Sequence, residues 1–109
     1  MKHFINSCVC YSEGAVNVFM YDYNKVFSSG DQVKIRIKFW TSRMKLTKVS
    51  YYWNDSQKPT EVKVTFNGCR FRTIVPETPD NKPVLKVVTE VQFKGEKSKH
   101  VHTFRINDM

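Results

Sequence analysis

Apolar and polar residues alternate with a period of two through most of this 109-residue chain, which is the spacing of strands rather than helices. The alternation is cleanest in "QVKIRIKFW", residues 32–40. There Val33, Ile35, Ile37 and Phe39 point one way, and Lys34, Arg36, Lys38 and Trp40 point the other. In "AVNVFMYDY", residues 15–23, Val16, Val18 and Met20 share one face, while Phe19, Tyr21 and Tyr23 share the opposite one. A third strand over 46–53 puts Val49, Tyr51 and Trp53 on one side and Lys48, Ser50 and Tyr52 on the other. Residues 60–66, "TEVKVTF", turn Val62, Val64 and Phe66 inward. Asn67-Gly68 then predicts a hairpin, because both residues tolerate the positive φ of a primed turn. The return strand, "CRFRTIV" at 69–75, carries Cys69, Phe71, Thr73 and Val75 inward and Arg70 and Arg72 outward.

A loop containing three prolines, "PETPDNKP", leads to the long strand 84–93, with Leu85, Val87, Val91 and Phe93 inward. "KGEKS" is the turn into the last strand, 99–106. For that strand the inward set is His102, Phe104 and Ile106 rather than Val101 and Thr103, because it carries the larger apolar groups. Between these runs, Gly, Pro and Ser/Asn/Asp clusters recur at the short intervals typical of all-β chains. One sheet would leave its dry face uncovered, so the expected architecture is two packed layers. The expectation is an all-β, seven-stranded sandwich, with a small closed β-barrel as the alternative. A single domain over 1–109 is expected, with 1–14 as a less regular N-terminal segment, since no linker divides the chain.

The segments "GDQVKIRIKFWTSRMKLTKVSYYWND" and "VLKVVTEVQFKGEKSKHVHTFRI" resemble an immunoglobulin-like sandwich of the early-set or bacterial and phage kind. The shared pattern is a strand opening after a Gly-Asp turn, a following strand carrying an aromatic (Trp53), and a long penultimate strand joined to the last by a turn containing Gly95. The pattern spans about residues 15–107 and contains no diagnostic motif. It departs from antibody domains in having no cysteine in strand 32–40 or strand 84–93, and no tyrosine near the penultimate strand. The resemblance implies a binding or structural role and carries over no catalytic residue.

Composition narrows the partner more than the fold. Eighteen Lys and Arg stand against ten Asp and Glu, a formal charge of +8, which favours acidic partners. Lys34, Arg36 and Lys38 form a row about 14 Å long, which Arg43, Lys45 and Lys48 extend, and Arg70 and Arg72 form a second row. If both rows lie in one sheet, they make an electropositive patch able to follow acidic groups or a phosphate backbone. If they lie in opposite sheets, they are only the solvated faces of ordinary strands. Trp40, Tyr52, Tyr21 and Tyr23 are the candidate exposed aromatics, with Trp40 directly beside these cations; such a residue serves as an interface anchor or a base-stacking platform, or covers the rim of the core. The expected partner-binding residues are therefore Lys34, Arg36, Lys38, Trp40, Arg43, Lys45, Arg70 and Arg72. The expected partner is a protein with an acidic surface, and the alternative is nucleic acid bound on the cationic sheet face.

Chemistry is absent from the pattern. There is no phosphate-binding glycine loop, no nucleophile elbow and no zinc-protease helix. Asp55 and Glu90 are not paired by any motif. His3, Cys8, Cys10 and Cys69 include thiolate and imidazole ligands, but the C-x-C spacing is not that of a zinc knuckle, and small buried hydrophobes are the simpler reading. His100 and His102 share a strand face without a third ligand. The expectation is no enzyme, no metal and no cofactor. Asn54-Asp55-Ser56 has the form of a glycosylation sequon but reads as a turn. No signal peptide or membrane span is expected, since polar residues interrupt the N-terminal apolar stretch. That points to a cytoplasmic protein or a component of an assembled particle. A self-contained basic chain of this size also fits a viral or mobile-element protein acting on a host partner.

Overall fold

In the computed structural model, residues 2–5, 8–13, 16–22, 25–39, 44–65 and 68–108 are described, with side chains described from residue 16 onward except at 39. The strands are β1 (Lys2–Ile5), β2 (Cys8–Glu13), β3 (Val16–Tyr21), β4 (Gln32–Phe39), β5 (Met44–Trp53), β6 (Thr60–Val62), β7 (Cys69–Ile74), β8 (Val84–Phe93) and β9 (Glu96–Arg105). They form two sheets, one in the order β1-β2-β3-β4-β7 and the other β6-β5-β8-β9, with every pairing antiparallel. The seven expected strands correspond to β3 through β9. In addition, two strands lie within residues 1–14, where a less regular segment was expected. No strand pair joins one sheet to the other among the described residues, so the layers form an open sandwich and not the closed barrel held as the alternative.

The core follows from the alternation. Val18, Met20, Val33, Ile35 and Ile37 from the first sheet, and Val49, Leu85, Val87, Val91 and Phe104 from the second, are all essentially inaccessible to solvent. Burying side chains of this size contributes roughly 1.5–3 kcal/mol each, which is what drives the two dry faces together. The last strand adopts the favoured frame: His102, Phe104 and Ile106 are buried, while Val101 is 45% exposed. Trp53 packs partly buried against the core, and its indole Nε1 donates to Thr73 Oγ1 at 2.9 Å, linking the second sheet to β7 of the first. Tyr51 and Phe71 stack across the same gap, ring centroids 4.8 Å apart.

Three local departures from simple alternation have physical causes. A register irregularity in β5 between Leu46 and Lys48 lets both Leu46 and Val49 reach the core, although they are an odd number of positions, three, apart. The β8–β9 turn is tighter than "KGEKS": Phe93 pairs with Glu96 around Lys94 and Gly95, both at positive φ, the geometry of a two-residue primed turn. The expected hairpin at Asn67-Gly68 is not a sheet hairpin at all. β6 pairs with β5 and β7 pairs with β4, so the chain passes from one sheet to the other between them. Gly68 closes an isolated bridge with Thr65, and Asn67 lies outside the described residues. Asn54 does act as a turn residue, at φ 55°, and its side-chain oxygen accepts from the Val84 amide at 2.9 Å.

Candidate functional site

The cationic rows meet on the outer face of the first sheet. β4 and β7 are hydrogen-bonded neighbours, and their register sets Lys34 opposite Arg72 and Arg36 opposite Arg70. Directly opposed residues in antiparallel strands hold their Cβ atoms about 4.5–5.5 Å apart. Residues two apart on one strand are about 7 Å apart. Four cations thus occupy a two-by-two block. The block lines a cleft of about 520 Å³, with Tyr21 and Asp22 at the end of β3 forming part of its wall. Lys34, Arg70 and Arg72 are exposed and Arg36 is half-buried. Asp22 is the one acidic residue among those that line the cleft.

Like charges placed directly opposite on a sheet repel, at a cost of several tenths of a kcal/mol to about 1 kcal/mol per pair. The block therefore carries an unfavourable electrostatic energy in the free protein, and an anion placed between the strands relieves it. The sandwich supplies rigidity: Ile35 on β4 and Thr73 on β7, next to the cations, are buried in the core. The backbone under the cleft is thus held independently of any ligand.

The remaining expected site residues distribute differently. Lys38 is exposed on β4 in line with Lys34 and Arg36, beyond the residues that line the cleft. Lys45 is exposed but stands on β5, in the other sheet, where its register partner is Gln92. It cannot extend the β4 row, because β4 and β5 belong to different sheets. Trp40 and Arg43 lie outside the described residues. On β3, Phe19 is the register partner of Arg36, so an aromatic does flank the cations within the same sheet. Asp22 had no sequence signal beyond its place after a strand; its positive φ of 58° ends β3 beside the cleft.

The strand order separates Cys69 from the N-terminal His and Cys positions. His3 pairs with Cys10 across β1 and β2, whereas Cys69 is on β7, three strands from β2 in the sheet order, or about 14 Å at the usual strand spacing. His102 is buried, with its Nε2 3.2 Å from Thr89 Oγ1, and His100 Nε2 lies 3.2 Å from Ser98 Oγ. Among the described residues, no three His, Cys, Asp or Glu side chains converge in a way that could hold a metal ion. No described helix is long and apolar enough to cross a membrane.

Cys69 is buried at the start of β7, its Sγ 3.5 Å from the Lys63 carbonyl oxygen, and burial pushes its thiol pKa above the ordinary value. A thiol held neutral is a poor nucleophile. Alkylation at pH 8 is therefore expected to label Cys69 at least about tenfold more slowly in the native protein than in denaturant. Mass mapping of the Cys69 peptide measures this, and equal rates would show that the thiol is not protected. Because the raised pKa belongs to the folded state, the stability associated with it is complete at neutral pH. It declines only as pH rises from the unfolded thiol's range through the folded value.

Comparison with protein-family models, curated proteins and solved structures finds no match to this chain.

Proposed function

We propose that this chain is a noncatalytic, immunoglobulin-like binding module that engages an acidic surface of a protein partner through the outer face of its five-stranded sheet. The observation that carries the proposal is the register of β4 against β7, which sets Lys34 opposite Arg72 and Arg36 opposite Arg70. What supports the immunoglobulin-like part is connectivity. β3, β4 and β7 are neighbours in one layer and β6, β5, β8 and β9 in the other, and the chain changes layer after β4, after β6 and after β7. That alternation between sheets is the habit of immunoglobulin-type sandwiches.

A second reading, nucleic-acid binding, is favoured by the same register, since both cationic rows share a face flanked by Phe19 and Tyr21. The extent of the charge separates the two. On β3 the cations give way to Phe19 and Tyr21, with Asn17 buried, so the charge is a compact strip on β4 and β7 that includes Lys38, and it does not run across the sheet as a track for successive phosphates. A defined Asp/Glu-rich peptide and single- and double-stranded oligonucleotides, each titrated at low and moderate salt, test the choice. The acidic peptide is expected to bind, and changing Arg36 and Arg70 together to Gln should weaken it at least about tenfold, roughly 1.4 kcal/mol. Oligonucleotide binding that collapses with salt, and with Lys34, Arg36 and Lys38 changed to Ala, would instead establish the second reading. No binding of any probe at low salt sinks both.

A further inference from the structure

The kind of cation in the cleft is as informative as the number. The chain has five arginines, Arg36, Arg43, Arg70, Arg72 and Arg105, and thirteen lysines. Three of the five arginines line this one cleft, against a single lysine, Lys34. Elsewhere the exposed strand cations are mostly lysine: Lys45 and Lys48 on β5, and Lys97 and Lys99 on β9. Lysine is sufficient for a solvated face, being a compact and strongly hydrated point charge. Arginine differs in presenting a planar fork of donors that matches the oxygens of phosphate and carboxylate in pairs, and it sheds water more readily. The bias towards arginine is thus confined to the place where cations converge.

Charge balance narrows the ligand further. Lys34, Arg36, Arg70 and Arg72 against Asp22 leave an excess of three positive charges in the cleft. One carboxylate would cancel only one of them. A phosphate monoester carries between one and a half and two negative charges at neutral pH, with three acceptor oxygens on one atom. Such a group above the centre of the block faces guanidinium forks from both strands at once, because Arg36 and Arg70 are register partners and Arg72 is two residues along β7. The cleft volume of about 520 Å³ lies within the range of pockets that admit small ligands.

We infer that the β4–β7 cleft is a receptor site for a phosphorylated side chain carried by the protein partner. The inference rests on the acidic-partner reading above and specifies which acid the cleft selects. Phosphate chemistry on a protein, and not on a nucleic-acid backbone, is favoured by the compactness of the block and by Asp22 at its wall, which disfavours a continuous polyanion lying along β3.

Three short peptides of one Gly/Ser-rich sequence provide the test, with a central phosphoserine, serine or glutamate, alongside a single-stranded thymidine decamer. Each is titrated against the full chain at moderate salt. The phosphoserine peptide is expected to bind at least about tenfold more tightly than the glutamate peptide, and the serine peptide not measurably. Inorganic phosphate should compete with it, and chloride at equal ionic strength should not. Changing Arg36 and Arg70 to Lys keeps the charge but removes the forks, and should reduce the preference for phosphoserine over glutamate to less than about threefold. Folding of each variant is checked by thermal melting; because the repulsion is unchanged or reduced, the melting temperature should not fall. Equal binding of the phosphoserine and glutamate peptides overturns the phosphate inference and leaves the acidic-partner reading standing. Failure of both those peptides overturns the two together, as does tighter binding of the decamer than of the phosphoserine peptide. A phosphoserine preference that survives in the lysine variant overturns the assignment to these arginines.

Discussion

Changing Gly68 to alanine is expected to destabilise the fold by about 3 kcal/mol, from two sources acting together. Gly68 sits at φ 135°, where an L side chain is strained, and it is buried where the chain enters β7. A Cβ there would run into the Ile37 carbonyl oxygen of β4; that oxygen is backbone, and the Cβ position is fixed by the backbone of residue 68, so neither can swing aside. The clash falls at the end of the β4–β7 ladder, where Ile37 pairs with Cys69. Gly30 provides the internal control. It also has a positive φ, 92°, but a Cβ at Gly30 would meet nothing within 4 Å. Gly30→Ala should therefore cost only the backbone term, about 1 kcal/mol. Urea denaturation of both variants measures the difference, and equal losses would show that the approach to Ile37 is not tight. Because this ladder holds the cationic block, Gly68→Ala should also weaken anion binding under conditions where the variant is still folded.

Asn107→Ala is expected to cost about 2–3 kcal/mol, a large effect for a residue near the end of the chain. The Asn107 side-chain oxygen accepts from the Phe27 amide at 2.8 Å, and its Nδ2 donates to the Phe27 carbonyl at 2.8 Å and to the Asn81 carbonyl at 2.7 Å. One side chain thereby fastens the β3–β4 connection and the proline-containing β7–β8 loop to the end of β9. Phe27, held this way, is buried and caps the core. Asn107 also adopts φ 60°, which asparagine tolerates better than most residues. Asn107→Gly separates the two contributions: it relieves the backbone but restores none of the three hydrogen bonds. The glycine variant should recover only about 1 kcal/mol relative to alanine, measured by the same denaturation. Full recovery would mean that the hydrogen bonds contribute nothing.

Neither residue stands out from local pattern alone. Asn67-Gly68 predicts a hairpin, and the glycine does have a positive φ, but its close neighbour is the Ile37 backbone, far away in sequence. Asn107 follows the last strand as an ordinary polar residue; its partners are 80 and 26 positions away. Signals of that kind come from loops brought together by the fold, and a period-two reading does not register them. Leu46 is a smaller case. Simple alternation places it with Lys48, and only the irregularity in β5 returns it to the core.

The inward faces were legible because their cause is local. Alternation along one strand separates a dry side from a wet side whatever its neighbours are, so Val33, Ile35 and Ile37, or His102, Phe104 and Ile106, could be assigned from the residues themselves. The requirement to cover two dry faces then led to paired layers. The sheet membership of each strand was not legible in the same way, because hydrogen-bonded pairing joins segments that the chain does not keep adjacent. Lys34, Arg36, Arg70 and Arg72 were all recognisable as outward cations. Their union into one block, and the departure of Lys45 to the opposite layer, depended on β7 pairing with β4 instead of β6. Charge and facing belong to each residue in its strand, whereas a site requires distant strands to share an edge.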